Sequence, residues 1–124
     1  LAPSLLHVLA ANRHRSLPQR LFEVGYVVVP DGAAWRNVPR FAFAEVAAKS
    51  NFSDAKGLVE SLLRDLRLEA TLEPAAQPGF VSGRQGHIKF NGRIIGHFGE
   101  LHPDTILAFG LTAPAITIEM ALDV

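Results

Sequence analysis

The stretch His87-Ile88-Lys89-Phe90-Asn91-Gly92-Arg93-Ile94-Ile95-Gly96-His97-Phe98-Gly99-Glu100-Leu101 decides the fold class of this chain. Asn91-Gly92 accepts the positive φ values of a type I′ turn, and the residues on either side alternate as strands do, so this stretch predicts a tight antiparallel hairpin. Beyond it, Pro103 fits the first turn of a short helix through Phe109, and Gly110 suits the end of that helix. Residues 115–122 alternate as a last strand.

Upstream, residues 51–68 give a helix with Ser53 as cap, Asp54 near the positive end, and Ala55, Leu58, Val59, Leu62, Leu63 and Leu66 as one apolar stripe. A short strand is expected over residues 69–73 and an irregular crossing over 74–86. Residues 20–29 and 40–48 read as strands, the first with Leu21, Glu23 and Gly25 on one face and Phe22, Val24 and Tyr26 on the other. Between them, Pro30, Asp31 and Gly32 begin a loop to Pro39 that carries the only Trp, Trp35. At the start, Ser4 is expected to cap a helix bearing Leu5, Leu6, Val8 and Leu9, with cationic residues up to Arg15 suiting its C-terminus. The connections are short and suit antiparallel pairing better than repeated βαβ crossovers, so the fold class is α+β, an antiparallel sheet with packed helices.

The composition narrows the possible functions. The 124 residues suffice for one domain over 1–124, and 48% of them are hydrophobic, enough for a core without staples. Zero Cys removes disulfides, thiolate metal sites and cysteine nucleophiles together, and permits a reducing cytoplasm. Twelve basic residues balance twelve acidic ones, which argues against a free-standing nucleic-acid module. No apolar run approaches the length of a membrane span, and no secretory signal opens the chain. A beginning at Leu1 suggests a piece of a longer polypeptide.

Few residues offer chemistry. His97, Glu100 and His102 are the densest candidate metal ligands, but on a strand His97 points away from the other two. His102, just before Pro103, is better read as capping the short helix. Neither Ser53 nor Ser82 sits in a nucleophile elbow, and the glycines around Arg84 match no phosphate-binding fingerprint. Gly96 and Gly99 are read as places where a neighbouring backbone or bulky side chain comes close. Glu23 is expected to form a structural ion pair with Arg20 or Arg40. His7 is a boundary side chain. Phe41, Phe43, Phe98 and Trp35 are core or interface groups rather than a stacking platform for bases.

Three further stretches carry a resemblance. They are residues 4–25, with Pro18-Gln19-Arg20-Leu21-Phe22-Glu23-Val24-Gly25; residues 51–63, from Asn51-Phe52-Ser53-Asp54; and Gly83-Arg84-Gln85-Gly86 followed by Gly96-His97-Phe98-Gly99-Glu100-Leu101-His102-Pro103 and Ala108-Phe109-Gly110-Leu111. In order and spacing they resemble the C-terminal catalytic-like core module of the phenylalanyl-tRNA synthetase beta subunit, in its archaeal and eukaryotic form. The resemblance implies part of the class II aminoacyl-tRNA synthetase catalytic fold, without adenylate formation.

It also implies an alpha subunit that ligates phenylalanine to its tRNA with ATP and magnesium, in a cytoplasmic alpha2-beta2 heterotetramer. This segment then serves as a structural partner with no catalytic, cofactor-binding or metal-ligating residue of its own. Class II motif 2 sets an Arg two residues before an acidic residue, whereas Arg20 and Glu23 stand three apart. Motif 3 requires an Arg in a helix after a Gly-rich strand, and the helix after Pro103 has none. The family's editing pocket and acidic metal-binding cluster lie in segments that precede this one.

The leading reading is an assembly domain in which Phe22, Tyr26, Trp35, Phe41 and Phe43 leave apolar area to dock on the alpha subunit or the rest of the beta subunit. The alternative is an independent small-molecule-binding or enzyme domain with a site at the loop from Gly83 to Gly86 and at His97, Glu100 and His102. A weaker option is tRNA contact through Arg13, His14 and Arg15.

Overall fold

The computed structural model describes residues 1–124. The element order is α1 (Ala2–Ala11), β1 (Gln19–Asp31), β2 (Ala34–Val46), α2 (Phe52–Asp65), β3 (Thr71–Pro74), β4 (Phe80–Phe90), β5 (Arg93–Leu101), α3 (Pro103–Ala108) and β6 (Ala115–Ala121). Six strands form one sheet in the order β1-β2-β6-β5-β4-β3, with antiparallel pairing throughout, as the α+β reading requires. The expected hairpin is β4–β5: Phe90 pairs with Arg93, and Asn91 and Gly92 take φ of 50° and 75°.

The helices divide the sheet into two cores. On one face α1 buries Leu5, Leu6 and Leu9 against Ala42, Ala44, Leu101 and Ala115. On the other, α2 sets Ala55, Val59 and Leu63 against Phe98, Ile116, Ile118 and Met120. Alternation along β6 makes this possible, because odd and even residues of a strand face opposite ways. At Gly96 the β6 backbone comes close to β5: a Cβ there would stand 2.6 Å from the Glu119 carbonyl oxygen. At Gly99 it would stand 2.8 Å from Gln85 Cβ, so both glycines act as expected.

Several local expectations are corrected. Residues 34–39 are strand, not loop: Gly32, with φ of 63°, makes a two-residue turn between Asp31 and Ala34, and Trp35 lies on β2. The prolines allow this because Pro30 is on an edge strand. Pro39 lies just outside the β6 ladder, which begins at Arg40, and lends its carbonyl to the Leu122 amide. The crossing expected over 74–86 is strand from Phe80, with extra residues bulged between Phe80 and Gln85 and Gly83 at φ 78°.

Neither serine caps its helix. Pro3, suited to a first turn, brings the start of α1 forward to Ala2, which leaves Ser4 inside the helix. Asn51 caps α2, its Oδ1 accepting the Asp54 amide at 3.0 Å, and Ser53 falls in the first turn. The same helix ends at Asp65, where Arg67 turns left-handed at φ 57° and the Leu68 amide reaches back to the Leu63 carbonyl. Leu66 therefore leaves the buried stripe and is exposed; Leu58, within α2, and Val8, on α1, are exposed too.

Candidate functional site

Of the alternative site, Arg84, Glu100 and His102 line one groove while His97 faces a different cleft, and the polar groups already serve the fold. Arg84 reaches Glu100 Oε1 at 3.2 Å, and Glu100 Oε2 accepts the Phe52 amide at 3.2 Å, tying β5 to the start of α2. His102 caps α3, its Nδ1 accepting the Asp104 amide at 3.1 Å. His97 bonds instead to Gln85, so the three candidate ligands go to three different partners.

The other sequence candidates are equally occupied. Arg20 pairs with buried Glu45, which also accepts the Ser50 hydroxyl at 2.7 Å, and Arg40 pairs with Glu119. Glu23 takes neither arginine, because the register puts Arg20 opposite Glu45 and Glu23 opposite Ala42. Arg13 caps the Ala10 carbonyl at 3.1 Å, while His14 and Arg15 are exposed. His7 packs its ring 5.0 Å from that of Phe109.

A larger cleft of about 610 Å³ opens on the α1 face of the sheet. Thr117 and Glu119 of β6, Val38 and Arg40 of β2 and His97 of β5 line its middle. Leu6, Phe80, Leu101 and Phe109 make an apolar end, and Arg36, Arg93 and Asp123 lie towards the other. The Thr105 hydroxyl and the His102 amide, each 2.9 Å from the Gly79 carbonyl, fasten the 78–80 turn that walls it. The sequence reading missed this cleft, since its residues come from five strands and two helices and no local motif joins them.

Electrostatics inside the cleft follow from burial. Glu119 accepts the Ala2 amide at 2.8 Å and Arg40 Nη1 at 3.2 Å. Burial opposes its ionisation, yet the Ala2 amide and Arg40 favour the carboxylate, and the carboxyl is held below its ordinary value. His97 is lowered from 6.5 to about 4, first by burial and then by neighbouring His87, so its ring is neutral near pH 7. Gln85 determines its tautomer: Gln85 Oε1 accepts the Gln77 amide and can only accept from His97, so Nε2 carries the proton.

A second surface stands out on the opposite face. Phe22, Val24, Tyr26 and Val28 project from β1 with exposures of 61–72%, and Trp35 on β2 is 71% exposed. The α2 helix covers β4 to β6 and does not extend over this end of the sheet, although Phe41 and Phe43 reach its core. The sequence reading placed Phe22, Val24 and Tyr26 on a shared face, and they lie there; Val28 extends the row, and Trp35, expected in a loop, joins it from β2.

The family model described as "Phenylalanyl tRNA synthetase beta chain CLM domain" matches residues 1–122. The chain belongs to that family. Among relatives, the phenylalanine–tRNA ligase beta subunit of Methanococcus aeolicus is 40% identical over 126 residues, covering 97% of this chain and 23% of the relative. That of Methanocaldococcus jannaschii is 40% identical over 124 residues, with 98% and 23% covered. The Pyrococcus abyssi beta subunit is 34% identical, with 98% and 22% covered. This CLM domain thus spans under a quarter of the length of the relatives it matches. No helix in it is long and apolar enough to cross a membrane.

Proposed function

We propose that this CLM domain is a non-catalytic assembly element of a phenylalanine–tRNA ligase beta subunit. It supports an alpha subunit that joins phenylalanine to its tRNA with ATP and magnesium, in a cytoplasmic alpha2-beta2 complex. The six-stranded antiparallel sheet is consistent with part of a class II synthetase catalytic fold. The observation that carries the reading is the uncovered row Phe22, Val24, Tyr26 and Val28 beside Trp35. Contiguous apolar surface of this kind marks an interaction site, and β1 adds a 13-residue strand with an unpaired outer edge. The polar groups of the alternative site are already committed to the fold, so the row is the better functional surface.

Gel filtration of the full-length beta subunit, with and without its alpha subunit, tests this reading. Co-elution that is lost in a Phe22→Ser/Tyr26→Ser variant of unchanged circular dichroism supports it. An unaltered elution profile and no pull-down for the unsubstituted pair would overturn it.

A further inference from the structure

The two edges of the sheet are built differently. At one edge β3 has only four residues, carries Glu73 and ends in Pro74. Shortness, charge and proline are the devices that keep a free edge from pairing with another strand. At the other edge β1 has 13 residues in unbroken register with β2, no Lys, and a single proline at its next-to-last position. A long, regular and apolar edge of this kind is a template for strand addition.

One hydrogen bond fixes the direction of the backbone along β1. Pro39 gives its carbonyl to the Leu122 amide, on the side of β2 away from β1, so its backbone points away from Tyr26, which stands opposite it. Tyr26 therefore turns its own N–H and C=O out of the sheet, and by alternation Phe22, Val24 and Val28 do the same. No strand lies beyond them to take these groups. The same four residues carry the exposed apolar side chains, so backbone pairing and apolar contact are offered from one place.

The charge on this strand narrows the partner. Glu23 is half-buried on the α1 side, beside Gly25, and the arginines expected for it are taken by Glu45 and Glu119. A strand laid against β1 sets a side chain next to Glu23, and a cation there is favourable. A second copy cannot supply it. Antiparallel pairing about a two-fold axis would bring Gln19, Leu21, Glu23, Gly25, Val27 or Val29 to that position, and none is basic. It would also leave two apolar rows side by side, both uncovered. The three aromatics of the row alone keep roughly 400 Å² of surface in water, about half of what one partner contributes to a standard interface.

We propose that the alpha subunit adds an extended strand to the outer edge of β1, apolar on the side of Phe22 and Tyr26 and bearing a Lys or Arg towards Glu23. The proposal rests on the assembly reading and deepens it, since one partner that pairs with the edge also covers the row. Main-chain bonds give such an added strand its hold, and its alternating side chains give the specificity.

The test compares amide hydrogen exchange in the full-length beta subunit alone and in its complex with the alpha subunit, resolved to single residues. The amides of Phe22, Val24, Tyr26 and Val28 should exchange about tenfold more slowly in the complex, while those of Glu23 and Val27, which face β2, are protected in both. Val24→Pro removes one outward N–H, keeps an apolar side chain and spares the β1–β2 ladder, so alpha-subunit affinity should fall about tenfold at unchanged circular dichroism. Glu23→Gln should lower it about threefold. Should Val24→Pro lose its fold, the exchange comparison decides alone. Edge amides already protected in the free beta subunit, exchange unchanged in the complex, or full affinity in a folded Val24→Pro variant would each overturn the added strand. In those cases a complex that the Phe22→Ser/Tyr26→Ser variant fails to form still upholds the assembly reading, whereas no complex between the unsubstituted subunits removes both.

Discussion

Gln85 Oε1 lies 2.8 Å from His97 Nε2 and at the same distance from the Gln77 amide, while Gln85 Nε2 donates to the Gln77 carbonyl at 3.2 Å. Both backbone groups of Gln77 thus orient the Gln85 amide, and the amide in turn selects the Nε2–H tautomer of a ring that burial and His87 keep neutral. Protonating His97 would bury a charge beside His87, across the strand pair.

This arrangement makes stability depend on pH. The unfolded chain takes up the His97 proton near 6.5, the folded one only near about 4. Above 6.5 the ring is neutral in both states and contributes nothing to the dependence. As pH falls from 6.5 towards 4 the unfolded state binds the proton first, so stability drops, and it levels off below. With partial solvent screening the loss is about 1–2 kcal/mol. Denaturant unfolding between pH 7 and 4 measures it, and a His97→Gln variant should flatten that part of the profile.

Two glycines predict opposite outcomes for the same substitution. At Gly96 an added methyl would meet the Glu119 carbonyl oxygen and the Met120 Cα, both backbone-bound atoms that cannot swing aside. Gly96→Ala is expected to cost about 1–3 kcal/mol. Gly57 lies within α2 with nothing near the position of a Cβ, so Gly57→Ala should stabilise by about 0.5–1 kcal/mol. Midpoints of urea unfolding at constant slope separate the two.

Asn51 rather than Ser53 holds the first turn of α2. Replacing Asn51 by Ala should therefore cost about 1 kcal/mol, and Ser53→Ala less than about 0.5 kcal/mol. Thermal unfolding of the pair decides between the two caps; equal losses would return the role to Ser53.

Glu45 is buried, with Arg20 and Ser50 as its partners. Arg20→Met strands that carboxylate with the serine alone. Because Arg20 is itself 61% exposed, the cost should be about 1–2 kcal/mol rather than that of a fully buried pair. Glu45→Leu combined with Arg20→Met should recover part of it, and a double-mutant cycle gives the coupling. A strictly additive cycle would mean that the pair carries no interaction.

Residues that act over a few positions were legible without coordinates. Asn91-Gly92 announced its turn, His102 and Pro103 the start of α3, Gly96 and Gly99 their close approaches, and Phe22, Val24 and Tyr26 their common face. Where two signals competed, the local reading failed. Prolines at 30 and 39 looked like loop, yet both occupy strand positions where a missing N–H costs no ladder bond. Arg67 took a left-handed conformation that sequence ordinarily reserves for glycine, and so shortened α2.

Element order, strand type and the apolar row on β1 were determined by the sequence alone, because each depends on turn geometry or on the two-residue repeat of a strand. The cleft was decided only by the tertiary structure. Arg40 on β2, His97 on β5 and Thr117 on β6 are far apart along the chain, and they share one concavity because β6, the last strand, inserts between β2 and β5. That insertion follows from burying Ile116, Ile118 and Met120 under α2, which turns Thr117 and Glu119 to the opposite face. Pairing between strands distant in sequence is a property of the whole packed core, and no local pattern contains it.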